Sequence, residues 1–316
     1  MKLESKRALP HDEGIKSIKR KNTQGILTNI TDYQHVIQGQ FPELEGATFT
    51  VLTEGWDSLA IDVDDALIFK FPRHAEAETR LRKEIRLLEI IRPRVSMHVP
   101  QMSLNEGPPV YSRHVKIGGA HLLSAQYTEL PEAARTDLAS KLALFYAELH
   151  EIDANLLTDA GASRLDSWPS AKIIRDKVLP LLPLELHPFA LDTLKAWVDL
   201  PPDPVRQTYG FFDGHGWNMA FDHQSCELNG VFDFADSGFG MLHQEFIYSS
   251  FIHEDLTLRI IADYEVLTGR TIDRHRVEVL TGVYRLHELA SAAGDPAHIP
   301  ARLQNIEVWA QRKNRV

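Results

Sequence analysis

The sequence is poor in sulfur and in long apolar runs. Its 316 residues include one cysteine, Cys226, which excludes an intrachain disulfide framework and any zinc site built from several thiolates. No apolar run approaches the roughly 18 residues of a membrane-spanning helix. Lys2, Lys6 and Arg7 near the start are not followed by the apolar stretch of an export signal. We therefore expect a cytoplasmic protein with no membrane association.

Positive charge is also scarce. Lysine and arginine number 34 against 44 aspartates and glutamates, which gives a formal net charge of −10. The chain lacks the basic footprint of a nucleic-acid-binding protein, so no nucleic-acid partner is expected. Such a charge suits a cationic small molecule, although acidity often serves solubility alone. Length predicts about two domains or lobes, and we expect a monomer.

The patterns along the chain predict a small strand-rich lobe before a larger helical one. Residues 1–29 are polar and basic, and we expect a frayed or disordered extension. Strand patterns follow at Thr48–Leu52, Leu59–Val63 and Ala66–Phe71. A helix is predicted at about Ala75–Ile91, where Leu81, Ile85 and Leu88 recur at helical spacing.

A further strand is predicted at Tyr111–Ile117, and Gly118-Gly119 after it is the candidate hinge. Later segments are mainly helical, with a clear apolar stripe of Leu138, Leu142, Phe145 and Leu149. The expected fold is therefore α+β. We predict an N-terminal lobe at 30–117 and a C-terminal lobe at 118–316.

Most standard catalytic signatures are missing, including the P-loop, the dinucleotide fingerprint and the serine-nucleophile elbow. One ordered set of polar residues remains. Asp213 is followed five residues later by Asn218, and Asp233-Phe234 ends an apolar strand. The same order of an aspartate, an asparagine and an Asp-Phe pair occurs in the protein-kinase template. There, one carboxylate accepts the proton of the acceptor hydroxyl, while an amide oxygen and a second carboxylate hold magnesium.

Two upstream residues extend this set. Lys70 lies in a predicted strand, and Glu84 lies on or beside the apolar face of the next helix. Without a functional role, Lys70 would be an ordinary surface lysine and Glu84 an ordinary solvated glutamate. An acid on an apolar face disfavours that alternative, because an unpaired buried charge is costly. The pair matches the kinase lysine that contacts the α- and β-phosphates and the glutamate that positions it.

Three segments resemble the aminoglycoside phosphotransferases, particularly the 2″-type. They are Ile68–His74, Leu144–His150 and Gly230–Asp236, and the similarity covers roughly Thr31–Gly294. The resemblance implies a bilobal protein-kinase-like fold and transfer of the γ-phosphate of ATP or GTP with Mg²⁺. The implied acceptor is a small hydroxylated and cationic molecule, most plausibly an aminoglycoside, with antibiotic resistance as the outcome.

Roles carried over by the resemblance fall on individual residues. Asp213 would be the catalytic base, and Asn218 and Asp233 would ligate magnesium. Lys70 would bind the α- and β-phosphates, and Glu84 would pair with Lys70. The loop Thr53–Ser58 would cover the phosphates, with Ser58 as a possible hydrogen-bond donor. Two residues of the lobe linker, Val115 and Ile117, would contact the base of the nucleotide. Acceptor-cleft acids would be Glu254, Asp255 and Glu288, for which ordinary solvated acids are the plainer interpretation.

The chain departs from the family at several positions. Phe211 stands where a histidine is usual two residues before the catalytic aspartate. Met241-Leu242 replaces an Asp-Pro pair, and Glu245 stands where an aspartate is common. Two alternatives therefore stay open: a kinase of a macrolide, choline-like or sugar-like acceptor, and a nucleotide-binding pseudokinase without transfer activity.

Overall fold

The computed structural model describes residues 29–52, 57–205, 207–294 and 296–313. Most of the predicted extension at 1–29 lies outside these residues, as do positions 53–56 of the predicted covering loop. Contacts divide the chain after Gly46 into two compact units. The first described helix, α1 (Ile30–Gln40), belongs to the first unit and begins with an Asn29 cap. The boundary predicted between 117 and 118 stays a prediction.

The second unit begins with an antiparallel five-stranded sheet in the order β1-β2-β3-β5-β4. Its strands are β1 (Phe49–Leu52), β2 (Ser58–Val63), β3 (Leu67–Pro72), β4 (Ser103–Asn105) and β5 (Tyr111–Val115). Phe69 and Phe71 are buried on one face of β3, as the alternation predicts. The register places Lys70 opposite Ala60 on one side and Ser112 on the other. Lys70 is therefore held in the middle of the sheet.

Helix α2 (Ala75–Ile91) has the predicted bounds. Leu81, Ile85 and Leu88 are buried along its inner face. Glu84 is buried with them at 1% exposure. The solvated interpretation of Glu84 is therefore wrong.

The remainder of the second unit is mainly helical. Its helices are α3 (Ser124–Glu129), α4 (Glu132–His150), α5 (Ala154–Asp159), α6 (Ala171–Val178), α7 (His187–Asp199), α8 (Leu242–Glu245), α9 (Glu254–Thr268), α10 (Arg274–Ser291) and α11 (Ile299–Lys313). The apolar stripe predicted in α4 is buried along its whole length. None of the described helices is both long and apolar enough to cross a membrane.

Two short ribbons interrupt these helices. The strands β6 (Thr208–Gly210) and β9 (Gly238–Gly240) pair with each other, and β7 (Met219–Asp222) pairs with β8 (Glu227–Val231). Gly119 lies directly against β7 with φ +138°, and a Cβ there would stand 2.7 Å from backbone atoms of Ala220 and Phe221. Only glycine fits both the conformation and the space. The turns between these strands carry the polar residues singled out in the sequence.

Candidate active site

Lys70 joins the sheet to the helical part of the unit. Its Nζ lies 3.2 Å from Glu84 Oε1 and 3.2 Å from Asp233 Oδ1. Burial opposes the positive charge, but Asp233 and Glu84 outweigh it and raise the pKa of Lys70 above its ordinary value. The backbone N–H of Phe234 donates to Glu84 at 3.0 Å. The ammonium group of Lys70 thus holds Asp233, which lies 163 positions later in the sequence.

The segment from Asp213 to Asn218 closes on itself. The Nδ2 of Asn218 donates to Asp213 Oδ2 at 2.6 Å and to the Asp213 carbonyl at 3.1 Å. His215 Nε2 lies 3.1 Å from the other carboxylate oxygen of Asp213. Burial opposes charge on this ring, but the hydrogen bond to Asp213 prevails and raises the pKa of His215. Both oxygens of Asp213 are thereby oriented.

Two residues of the site have left-handed backbone. Phe212, directly before Asp213, has φ +53°, and Asp233 has φ +70°. Such non-glycine conformations cost of order 1–3 kcal/mol and persist where the surroundings impose them. Here the Phe232 N–H donates to the Asn218 carbonyl at 3.0 Å, which ties the two turns together. This bond joins the turn that carries Asp213 to the turn that carries Asp233.

The charges of two aspartates, Asp213 and Asp233, act on a third, Asp236. Burial raises the pKa of Asp236, and the charges of Asp213 and Asp233 raise it further. The amide nitrogen of Asn218 donates to Asp213, so the amide oxygen is the atom of this side chain that could ligate a cation. Among the described residues no cluster of three His, Cys, Asp or Glu side chains could hold a metal alone. Magnesium fits such a site, since it takes one or two protein oxygens and completes its shell with phosphates and water.

The aromatic residue at position 211 packs in the core beneath these turns. The ring of Phe211 lies 4.7 Å from Phe234 and 6.0 Å from Phe145 between centroids. It is 1% exposed. Phe211 therefore supports the Asp-Phe turn by apolar packing.

Replacing Phe211 by histidine is expected to lower stability without raising turnover. The imidazole would place polar nitrogens among phenyl rings, at a cost of about 1–3 kcal/mol if no partner is found. Thermal unfolding and steady-state kinetics of Phe211→His measure the two effects. Increased turnover would contradict the packing role and would favour a requirement for histidine there.

The other residues predicted to contact the nucleotide, Ser58, Val115 and Ile117, lie in or next to the sheet. Ser58 begins β2 and is partly buried. Val115 ends β5, pairs with Leu67 and exposes 69% of its surface, whereas Ile117 is buried. The two linker residues thus differ, and only Val115 presents a largely open side chain.

Two of the predicted acceptor acids, Asp255 and Glu288, pair with arginines. Arg259 Nε donates to Asp255 at 2.8 Å, and the Tyr127 hydroxyl donates to it at 2.6 Å. Glu288 is paired with Arg302 and its side chain is 13% exposed, so for Glu288 a solvated surface position is wrong. Burial raises the pKa of Glu288, against the influence of Arg302. Glu254 lies in the first turn of α9.

Four residues near the turn of Asp213 carry no sequence pattern that predicts a role for them. His215 lies within its motif, and Asp236 follows Asp233 by three residues, so proximity was the available signal. In the sequence, Glu245 stands out only as a departure from the family, and His150 only as the end of the similar segment Leu144–His150. Their contacts depend on tertiary packing.

Residues 48–280 match the model of the phosphotransferase enzyme family. The chain belongs to this family. An enzyme of the small-molecule phosphotransferase type, predicted from the ordered polar set, is thereby confirmed. No curated protein sequence matches the chain.

Solved structures of similar fold include aminoglycoside and macrolide phosphotransferases. The GDP complex of a mutant aminoglycoside 2′-phosphotransferase-IIIa has a TM-score of 0.77 at 21% identity, covering 90% of this chain and 98% of that one. An aminoglycoside 2″-phosphotransferase with GDP and kanamycin gives 0.74 at 22%, covering 89% and 98%. The macrolide 2′-phosphotransferase MphH of Brachybacterium faecium gives 0.62 at 16%, covering 86% and 97%. The predicted bilobal kinase-like α+β fold is confirmed.

Proposed function

We propose that this protein transfers the γ-phosphate of ATP or GTP to a hydroxyl of a small molecule, with Mg²⁺ as cofactor and an aminoglycoside as the leading acceptor. The observation that carries the proposal is the meeting of Lys70, Glu84 and Asp233 beside the linked pair Asp213 and Asn218. Among the solved structures of similar fold, one holds GDP and kanamycin, and another holds ATP and streptomycin. These complexes support a nucleotide and an aminoglycoside as the ligands here.

The chain's own residues account for the binding of the nucleotide. Lys70 has three donors and a full positive charge, so it can give one donor to the α- and β-phosphates while Glu84 keeps it in place. Asp233 and the oxygen of Asn218 would hold magnesium. Magnesium held by these two residues would supply positive charge that offsets the negative charge of the transferred phosphate.

Asp213 supplies the proton acceptor. Its carboxylate orients the acceptor hydroxyl and takes its proton as the oxygen bonds to the γ-phosphorus and the bond to the bridging oxygen breaks. The donors Asn218 and His215 fix the two oxygens of this carboxylate in the described structure. Most of the rate enhancement then comes from positioning and charge neutralisation.

The test is nucleotide consumption by the purified protein. ATP and GTP are each supplied with Mg²⁺ against aminoglycosides, macrolides, choline and simple sugars, and phosphorylated products are identified by mass. The proposal expects product with at least one hydroxyl compound. A protein that binds nucleotide but never transfers phosphate would be a pseudokinase. If another acceptor is phosphorylated while every aminoglycoside is inert, the kinase assignment stands and the aminoglycoside assignment is rejected.

One observation favours a macrolide-like acceptor as the second candidate. The pairs Arg259–Asp255 and Arg302–Glu288 neutralise two of the acids on which a polycation would depend. An acceptor with a single amine needs fewer free carboxylates than an aminoglycoside does. The acceptor panel separates the two classes.

If an aminoglycoside is the acceptor, removing the charge of Glu288 is expected to raise the KM for it more than it lowers kcat. A group that binds ground and transition states equally changes affinity and not the chemical step. Kinetics of Glu288→Gln with the accepted substrate measure the split, and Glu185→Gln, at an exposed position outside the site, is the matched control. A fall confined to kcat would instead place Glu288 in the chemical step.

A further inference from the structure

Three aromatic rings adjoin the two residues proposed to hold magnesium. Trp217 directly precedes Asn218, and Phe232 directly precedes Asp233. The imidazole of His121 neighbours both rings, with centroid distances of 4.7 Å to Trp217 and 6.5 Å to Phe232. The three rings therefore form one cluster beside both proposed ligands of the cation.

Trp217 is the most open member of this cluster. It exposes 47% of its surface, whereas His121 and Phe232 are half-buried. Between Asp213 and Asn218 it is the one exposed residue, and the chain there is described throughout. A single exposed apolar residue is ordinary on a protein surface, but this ring belongs to a cluster within the proposed active site. Its open face is apolar area that a bound ligand would remove from water.

Backbone contacts fix the turn of Trp217 against the segment that follows the linker. The Leu122 N–H donates to the Gly216 carbonyl at 3.1 Å. A Cβ on Gly216 would stand 1.8 Å from the Leu122 carbonyl oxygen, so only glycine permits this approach. Ala120 and Phe221 exchange two backbone hydrogen bonds of 2.8 Å. The segment is therefore held on both sides of Trp217.

The position of the cluster corresponds to the sugar of a bound nucleotide. Val115 and Ile117 of the linker are proposed to contact the base, and His121 follows them in the same segment. Asn218 is proposed to hold the cation at the phosphates. The ribose joins the base to the phosphates, so a nucleotide that reaches both places has its ribose beside the ring pair of His121 and Trp217.

We propose that Trp217, supported by the ring of His121, covers the ribose of the bound nucleoside triphosphate. The inference rests on the proposed function for the places of the base and the phosphates. The carbon-bound hydrogens of a sugar ring present an apolar face. An indole offers a large rigid surface to such a face at little cost in conformational entropy, because it has only two side-chain torsions. Trp217 is thus a binding residue for the nucleoside part of the donor.

The first test compares Trp217→Leu, which removes the ring, with Trp217→Phe, which keeps one. Calorimetric titration with Mg²⁺ and ATP or GTP measures the Kd of each variant. We expect the Kd to rise about 3- to 10-fold in Trp217→Leu and less than about twofold in Trp217→Phe. Leu184→Ala, which removes a side chain that is 79% exposed outside the site, is the matched control and should leave the Kd unchanged. Wild-type affinity in Trp217→Leu would overturn the proposal.

Smaller ligands separate a ribose contact from damage to the neighbouring Asn218. Inorganic tripolyphosphate with Mg²⁺ has no sugar, so its affinity should be the same in wild type and in Trp217→Leu. A triphosphate that carries the base on an open chain in place of the ribose should bind wild type more weakly than ATP does. It should lose less than about twofold more in Trp217→Leu, because the contact is already absent. An equal loss of affinity for tripolyphosphate and ATP would show that Trp217 acts through the metal site and would overturn the proposal.

Tryptophan fluorescence tests the same contact without any turnover. The emission that wild type has and Trp217→Phe lacks belongs to Trp217, and it should change when ATP or GTP is added with Mg²⁺. No change in that emission would sink the inference even in an active enzyme, as would a raised acceptor KM with an unaltered nucleotide Kd. Conversely, a changed emission in a protein that transfers no phosphate would sustain the ribose contact and reject the proposed transfer, so the two failures are distinguishable.

Discussion

Replacing Asp213 with alanine is expected to lower kcat by about 10²- to 10⁴-fold, the range for loss of a positioned general base. Nucleotide affinity should change little, because the contacts with Lys70 and Glu84 do not involve this side chain. Steady-state kinetics and nucleotide titration measure the two quantities. Unchanged turnover would refute the assignment of Asp213 as the base.

Two companion variants sharpen that experiment. Asp213→Asn keeps the volume and the acceptor for the Asn218 amide, but it cannot take a proton at neutral pH. It should therefore lose as much turnover as the alanine variant while melting at the wild-type temperature. Asp192→Ala, at an exposed position on α7, removes the same charge elsewhere and should leave kcat unchanged.

Local patterns predicted the strand-rich beginning of the second unit well. The bounds of α2 agree with the prediction because an apolar stripe and Pro93 mark its core face and its end. The first three strands begin and end within one residue of the predicted positions. By contrast β4, Ser103–Asn105, carries no apolar alternation, and it exists through its pairing with β5.

For the site, sequence order predicted the chemistry and tertiary structure supplied the geometry. The residue types and order of Lys70, Glu84 and Asp233 match those of kinases, and in the structure Lys70 contacts both acids. The left-handed backbone of Phe212 and Asp233 had no sequence signal, since non-glycine residues rarely adopt it. The approach of His150 to Glu245, 95 positions apart, depends on how α4 and α8 pack.

Of the two proposed magnesium ligands, Asp233 is expected to matter more than Asn218. A carboxylate offers a full charge to a hard cation, whereas an amide oxygen offers a dipole. Asp233 also holds Lys70 at 3.2 Å and is 48% exposed at its side chain, so one oxygen can face the phosphates while the other keeps the lysine. Its loss would affect the cation and the ammonium together.

We therefore expect Asp233→Ala to weaken magnesium-dependent nucleotide binding by more than the roughly 10- to 100-fold typical of residues that only orient a metal ligand. Asn218→Ala should weaken it less, and part of its effect should appear in kcat, because the Asn218 amide also orients Asp213. Calorimetric titration with ATP or GTP at several magnesium concentrations separates the metal-dependent part from the part due to Lys70. Asp233→Asn, which keeps the shape and removes the charge, should resemble Asp233→Ala in magnesium dependence if charge is decisive. Normal magnesium dependence in Asp233→Ala would show that the Asp-Phe turn does not hold the metal, and the nucleotide site would then have to be sought from Lys70 and Glu84 alone.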